Sequence, residues 1–274
     1  MADTARELGL ALDQPASVNS AEARRRIAAV APDVVCVCAF GALIAEPLLS
    51  AYPMINVHPS LLPRWRGAAP IERAIMAGDQ RTGVCIMRLA AGLDDGPVGG
   101  CAEQAIDSRD TFASLSGRLQ QAGGELLVRF LDEPAPMREQ SVQGVTYAEK
   151  IGPSDRLLDA SRPAVELERT VRALHPHVGA HVELADGTLL GVREAALSAL
   201  SEVGVAVAVA VAGHVGDSAD RADPEDADLY ADGDRLLLRC SPGLLELLVV
   251  QPAGGRPMSA ADFLRGRGLP PSGA

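Results

Sequence analysis

The chain has 274 residues, 47% hydrophobic and 22% charged, enough for about two domains and too apolar for a disordered chain. Acidic residues number 36 against 25 basic ones, a net charge of −11. That balance excludes a general polyanion binder, because non-specific nucleic-acid affinity comes mainly from neutralising phosphates, so any nucleic acid here must be gripped locally.

Ala2, Ala5 and Leu8 fall at helical spacing and Gly9 stops that first helix. The N-terminal stretch lacks the apolar core of a signal peptide, and no later run reaches about 18 apolar residues, which predicts a cytoplasmic chain off the membrane. Ser20 is placed to cap a helix through Val30, with Arg24, Arg25 and Arg26 on a solvated face. Asp33 leads into VVCVCAF, a continuous apolar run of the kind that strands covered on both faces show, and GALIAEPLL follows as a turn and short helix. Next come a strand at Met54 to His58, a helix at Ile71 to Ala77, a strand at Thr82 to Leu89, another near Val98 to Ile106 and a helix from Thr111 to Leu131. Strands alternating with helices predict an α/β layer fold with a parallel sheet.

Polar, Pro-containing sequence from Glu133 to Gln143 marks a boundary, dividing the chain into residues 1–133, a linker at 134–150 and a second domain at 151–274. After a helix at Ala164 to Leu174, the runs HVELADGTLLGV, VGVAVAVAVAGHV, RLLLRC and LLELLVV alternate with turn signals. Short strands so spaced predict a small antiparallel barrel or sandwich. The acidic stretch Asp217 to Asp234, whose one basic residue is Arg221, reads as a solvated loop. Five cysteines (Cys36, Cys38, Cys85, Cys101, Cys240) with no CxxC, mostly in apolar runs, read as buried free thiols of a reducing compartment.

The only lysine is Lys150, without a preceding glycine, so no Walker loop exists; no GxGxxG occurs, and few aromatics are available for base stacking. Chemistry in an α/β sheet gathers at the carboxyl ends of strands. Two ends are loaded here: MINVH carries Asn56 and His58, two residues apart and therefore on one side, and the next strand runs into AAGLDDG with Asp94 and Asp95. An amide, an imidazole and a carboxylate can bind an oxyanion, move a proton and orient the proton mover. No serine or cysteine stands beside the histidine for a covalent intermediate. His175, His177 and His181 invite a zinc reading, but without a cysteine or carboxylate at ligand spacing no metal is expected.

The stretch INVHPSLLPRWRGAAPIERAIMAGDQRTGVCIMRLAAGLDDG resembles the signature of the folate-dependent formyltransferases, most closely those acting on methionyl-tRNA: N-x-H, SLLPxxRG, then a GLD-x-G loop with the aspartate 36 residues after the histidine. Downstream, VTYAEKI, RALHPHVGA and QPAGGRPMSAADFLRG resemble the linker and C-terminal tRNA-binding domain of the same enzymes, so the resemblance covers most of the chain. It implies a Rossmann-like catalytic domain followed by a small OB-like β-barrel. It also implies transfer of a formyl group from 10-formyltetrahydrofolate, as co-substrate, to the amine of initiator methionyl-tRNA. Asn56, His58 and Asp94 are then the catalytic residues: Asn56 and a protonated or proton-donating His58 bind the oxyanion, and Asp94 orients His58 and relays the proton leaving the attacking nitrogen. Phe40, Gly41, Leu43, Ser60, Leu61, Leu62, Pro63, Leu89, Gly92 and Leu93 are the implied folate contacts, and Arg64, Arg66, Arg256, Arg265 and Arg267 the candidate tRNA contacts.

Three departures from that pattern stand out. The family's opening strand, helix and second strand, with a basic loop for the tRNA acceptor end, have no counterpart, which implies a catalytic domain incomplete at its N-terminus with an exposed sheet edge. Residues 151–274 hold 11 arginines against 18 acidic residues, where a basic channel would help tRNA bind. His175 replaces the family's Asn, and Asp95 stands where a small polar residue is usual and reads as loop chemistry. Three readings therefore remain: the methionyl-tRNA enzyme, favoured as a monomer; a silent remnant that binds folate or a partner chain; and a formyltransferase for a sugar nucleotide or other small amine.

Overall fold

The computed structural model describes residues 2–184, 186–198, 207–208 and 228–266. Helices α1 (Ala2–Glu7) and α2 (Ala21–Val30) come first, and the Ser20 hydroxyl accepts the Ala23 N–H to cap α2. Then follow β1 (Val35–Cys38), α3 (Leu48–Ala51), β2 (Met54–His58), β3 (Arg66–Gly67), α4 (Pro70–Ala77), β4 (Arg81–Arg88), β5 (Val98–Ala105) and α5 (Phe112–Asp132). These match the expected elements to within a residue or two at most ends.

The sheet they build has the order β1-β2-β4-β5. It is mixed: β1 and β2 are parallel, whereas β4 runs antiparallel to both β2 and β5. The chain leaves β2 at His58 and, after α4, enters β4 from that same end, so His58 lies opposite Cys85 and Ile55 opposite Arg88. α5, started by a Thr111–Ser114 capping box, covers one face, packing Leu115 and Leu119 on Val84 and Leu126 on Ile55 and Ile86.

Two expectations about cysteine need correction. VVCVCAF is not covered on both faces: β1 is an edge strand, no described strand pairs with its outer side, and Cys36 and Cys38 are exposed. Alternation along the strand puts both thiols on one open face. Cys85 and Cys101 are not free; the β4–β5 register sets them directly opposite each other and they form a disulfide. Spacing along the chain carries no trace of this pairing, which register alone creates. Cys240 is a buried free thiol as expected, and burial pushes its pKa up to about 11.

The stretch expected as a linker lies along the first sheet: Arg138 bridges to Val98, and β6 (Tyr147–Ala148) pairs in parallel with β3. A 3-10 turn (Ser154–Arg156) leads to α6 (Ala164–Leu174), then β7 (Ala180–Glu183), β8 (Leu189–Ser198), β9 (Val207–Ala208), β10 (Leu229–Asp232), β11 (Arg235–Cys240), β12 (Gly243–Gln251), β13 (Met258–Ser259) and α7 (Ala260–Gly266). The antiparallel order is β7-β8-β12-β11-β10-β9, with β13 added to β12; among the described residues no ladder closes β9 onto β7. α6 buries Leu167, Val171 and Leu174 against this sheet. Most of VGVAVAVAVAGHV and residues 217–227 lie outside the described residues. Leu229 to Asp232, expected in the acidic loop, instead form β10, because their backbone pairs with Arg235 to Leu238.

The halves meet through α4, α5 and α6. Arg73 grips the Asp155 carboxylate at 2.6 and 2.9 Å, His177 Nε2 lies 3.0 Å from Glu72 and its ring stacks on Phe112, and Arg172 donates to the Asp110 carbonyl at 2.6 Å. Asp110 is buried and accepts from Arg118, Ser114 and its own turn at Asp107. Among the described residues no helix is long and apolar enough to cross a membrane.

Two measurements follow from this packing. The Arg118 guanidinium, chiefly, holds the Asp110 carboxyl down at about 2. A depressed carboxylate stabilises the fold above its unfolded value near 4 and loses that contribution as pH falls towards 2, so Asp110→Asn should cost roughly 2 kcal/mol at neutral pH. The melting temperatures of wild type and variant should draw together as pH falls from about 4 to about 2. For the disulfide, closing a loop of sequence separation 16 implies that reductant lowers the unfolding free energy by about 3 kcal/mol. Thiol titration of denatured protein should find Cys36, Cys38 and Cys240 without reductant and all five cysteines with it.

Candidate functional site

β2 presents Asn56 and His58 on one face of the sheet, with Met87 and Cys85 as their cross-strand partners on β4. His58 is 3% exposed, so its ring nitrogens need partners inside the protein. Nε2 donates to the Trp65 carbonyl at 2.9 Å. A carbonyl oxygen only accepts, so this bond places a proton on Nε2. The nitrogen left for chemistry is Nδ1, and it faces Asp94 Oδ2 at 3.6 Å.

The Trp65 carbonyl is aimed by a strained backbone. Trp65 has φ 62°, a left-handed conformation that costs a side-chain-bearing residue about 1–2 kcal/mol. Its surroundings impose it: the backbone N–H donates to Thr146 Oγ1 at 2.9 Å, the indole N–H to Asp79 Oδ2 at 2.8 Å, and the Arg64 guanidinium lies 4.3 Å over the ring. Arg64 in turn holds Asp79 through two bonds of 2.8 and 2.7 Å, which raises its own pKa. Ser60, fully buried, donates to the Arg64 carbonyl at 2.7 Å and closes this turn.

Asp94 reaches His58 by a route that strand order alone does not suggest. Because β4 is antiparallel to β2, its carboxyl end lies at the opposite end of β2 from His58; the Leu89 N–H donates to the Met54 carbonyl. The loop after β4 must therefore double back. It does so through Asp94, itself at φ 48°, and Gly96, where a Cβ would sit 2.0 Å from the Arg88 carbonyl oxygen. Asp94 Oδ2 then accepts the Gly67 N–H at 2.8 Å. Gly67 has φ 123°, and a Cβ there would lie 2.7 Å from the Ala148 carbonyl oxygen, so the contact of β3 with β6 requires glycine.

Of the candidate folate residues, Phe40, Gly41 and Leu43 follow β1 and are exposed, Phe40 by 43% and Leu43 by 77%. Asn19 tethers this segment, donating to the Leu43 carbonyl and accepting the Ala45 N–H. Leu61, Leu62, Pro63 and Leu89 are half-buried, and Gly92 and Leu93 are exposed, as is Asp95. The Ser60 hydroxyl spends its one donor on the Arg64 carbonyl. Among the candidate tRNA contacts, Arg64 is held by Asp79, Arg66 donates twice to Gln140, Arg265 pairs with Asp262 at 2.5 Å, and Arg256 is exposed. Arg267 lies outside the described residues. No cluster of three or more His, Cys, Asp or Glu suited to a metal occurs among the described residues.

Sequence reasoning missed Trp65, Asp79, Gln140 and Thr146 as parts of this site. The segments holding Trp65 and Thr146, RWRG and VTYAEKI, were visible as motifs, but the bond between them spans 81 residues of chain.

Comparison with known proteins places the chain in a family. Residues 6–131 match the formyl transferase family and residues 150–268 the formyl transferase C-terminal domain. The chain is 37% identical over 264 residues to a methionyl-tRNA formyltransferase of Dechloromonas aromatica, covering 95% of this chain and 79% of that one. It is 41% identical over 269 residues to that of Methylococcus capsulatus, covering 96% and 80%. In fold it is similar to HypX from Aquifex aeolicus solved in complex with tetrahydrofolic acid, at TM-score 0.56 and 16% identity over 85% of this chain and 38% of that one. With both domains matched in order and an identity of this level across four fifths of its relatives' length, the chain belongs to the methionyl-tRNA formyltransferase family.

Proposed function

We propose that this chain transfers a formyl group from 10-formyltetrahydrofolate to the amino group of methionyl initiator tRNA, in the cytoplasm, with Asn56, His58 and Asp94 at the reacting centre. The observation that carries the reading is the meeting of His58 Nδ1 with Asp94 Oδ2 at 3.6 Å on the sheet face that also bears Asn56. An assembled pair of this kind supports an enzyme over a silent remnant. The C-terminal match supports tRNA over a small amine as acceptor.

The residues present fit a folate. Phe40, Leu43 and Leu93 offer exposed apolar surface to a ring system, and a Cβ placed on Gly41 would meet nothing within 4 Å. Bound there, the co-substrate supplies a formyl carbon activated towards amines. The protein's part is electrostatic and protonic. The Asn56 amide donates to the formyl oxygen as negative charge develops on it. His58, with Nε2 held by the Trp65 carbonyl, takes the proton of the attacking amine at Nδ1 and returns it to the nitrogen that leaves the formyl carbon, so that the bond to the acceptor forms, the bond to the co-substrate breaks and the imidazole ends neutral. Asp94 stabilises the imidazolium so formed, and burial makes that attraction stronger than it would be in water.

The acceptor end of a tRNA meets a second domain rich in acid, so its phosphates need local partners. Arg256, exposed before β13, is suited to that role, while Arg64 and Arg66 contribute by shaping the turn beside His58.

Formylation of charged initiator tRNA by the full chain tests the reading. His58→Ala should lower kcat by about 10²- to 10⁴-fold and should also lower the melting temperature, because it empties a buried site and leaves the Trp65 carbonyl unpaired; Asn56→Ala should lower kcat by about 10²- to 10³-fold with a melting temperature close to wild type. Equal rates for wild type and His58→Ala would sink it.

A further inference from the structure

Gln140 lies in irregular sequence after α5, yet its side-chain amide is saturated with hydrogen bonds. Oε1 accepts from Arg66 Nε at 3.0 Å and Nη2 at 2.8 Å, and Nε2 donates to the carbonyl oxygens of Asp94 and Gly96, both at 2.8 Å. An amide offers two donor hydrogens and two acceptor lone pairs, so all four are in use. Both halves of this amide bear on one carboxylate. Its donors grip the backbone of Asp94 itself and of the residue two further on, across the left-handed kink by which the loop turns back to the sheet. Its acceptor holds Arg66, whose chain neighbour Gly67 donates its N–H to Asp94 Oδ2. Gln140 is thus bonded on one side to the loop that carries the carboxylate and on the other to the strand that supplies that carboxylate's N–H donor.

We propose that Gln140 is a positioning residue that acts through Asp94: it sets the placement of the Asp94 carboxylate against His58 Nδ1 and thereby the fate of the proton at that nitrogen. The inference builds on the formyl-transfer reading but is separable from it, because the His58–Asp94 geometry can be observed without turnover. Arg66 acquires a defined role in the same step, as the group that holds the amide in register with the loop.

The discriminating variant is Gln140→Glu in the full chain. It keeps the length of the side chain and strengthens the hold on Arg66, but it sets carboxylate oxygens against two carbonyl oxygens and removes both donors to the Asp94 loop. Gln140→Met, of similar volume and with no amide, is the companion. The Nδ1 and Nε2 nitrogen resonances of His58, assigned with His58→Asn, should move in both variants while those of His177 stay in place. In the formylation assay kcat should fall by about tenfold or more, its pH dependence should shift, and KM should change by less than about threefold. Unmoved His58 resonances in Gln140→Glu overturn the proposal whatever the rate does. Loss of the folded state in both variants overturns it too, because the residue then holds the fold and not the carboxylate. A wild type with no formyl transfer would remove the formyl-transfer reading and leave the resonances to decide the role of Gln140.

Discussion

A buried imidazole has to settle both of its nitrogens, and in this protein the partner of one of them organises the site. His58 Nε2 donates to the Trp65 carbonyl, which requires that carbonyl to point back at the strand the chain has just left. A left-handed Trp65 makes this possible, and a left-handed residue with a large side chain persists only when its surroundings over-determine it. Asp79 accepting the indole N–H, Arg64 stacked on the ring and bonded to Asp79, and Thr146 accepting the backbone N–H do so together. Arg64 and Trp65 of RWRG therefore serve first to aim one backbone carbonyl.

The second constraint is the antiparallel return of β4. It separates the carboxyl ends of β2 and β4, so the Asp94 loop has to fold back to reach His58. Gly96 permits the close approach to Arg88, and Gly67 supplies a backbone donor to the carboxylate from a strand that must lie tight against β6. β6 comes from the segment beyond α5, and so do Gln140 and Thr146. A stretch with the composition of a linker thus completes the site. The same sheet carries the Cys85–Cys101 disulfide in the row next to His58, since register pairs His58 with Cys85 and Cys85 with Cys101.

Charge is arranged for cohesion as much as for binding. Arg64, Arg66, Arg73, Arg118, Arg172 and Arg235 all have partners within the chain. Several of these partners are separated by tens of residues, as Arg73 is from Asp155 across the junction of the halves. An acidic protein that works on a polyanion has few positive groups to place, and this one engages many of them in its own architecture.

Sequence alone determined the elements and the chemistry types. Hydrophobic periodicity is a local property, so β2 at Met54–His58, α6 at Ala164–Leu174 and the Ser20 cap were legible where they stand. The motif N-x-H with a distant GLD-x-G was enough to name Asn56, His58 and Asp94. Tertiary structure decided everything that depends on which residues far apart in the chain become neighbours. The direction of β4 and the disulfide came from strand register. The open face of β1 exposed thiols in a run apolar enough to be read as buried. The tautomer of His58 followed from one carbonyl, and the place of Asp94 from Gly67 and Gln140. These are long-range pairings, and a one-dimensional pattern records the residues that take part in them but not the geometry that joins them.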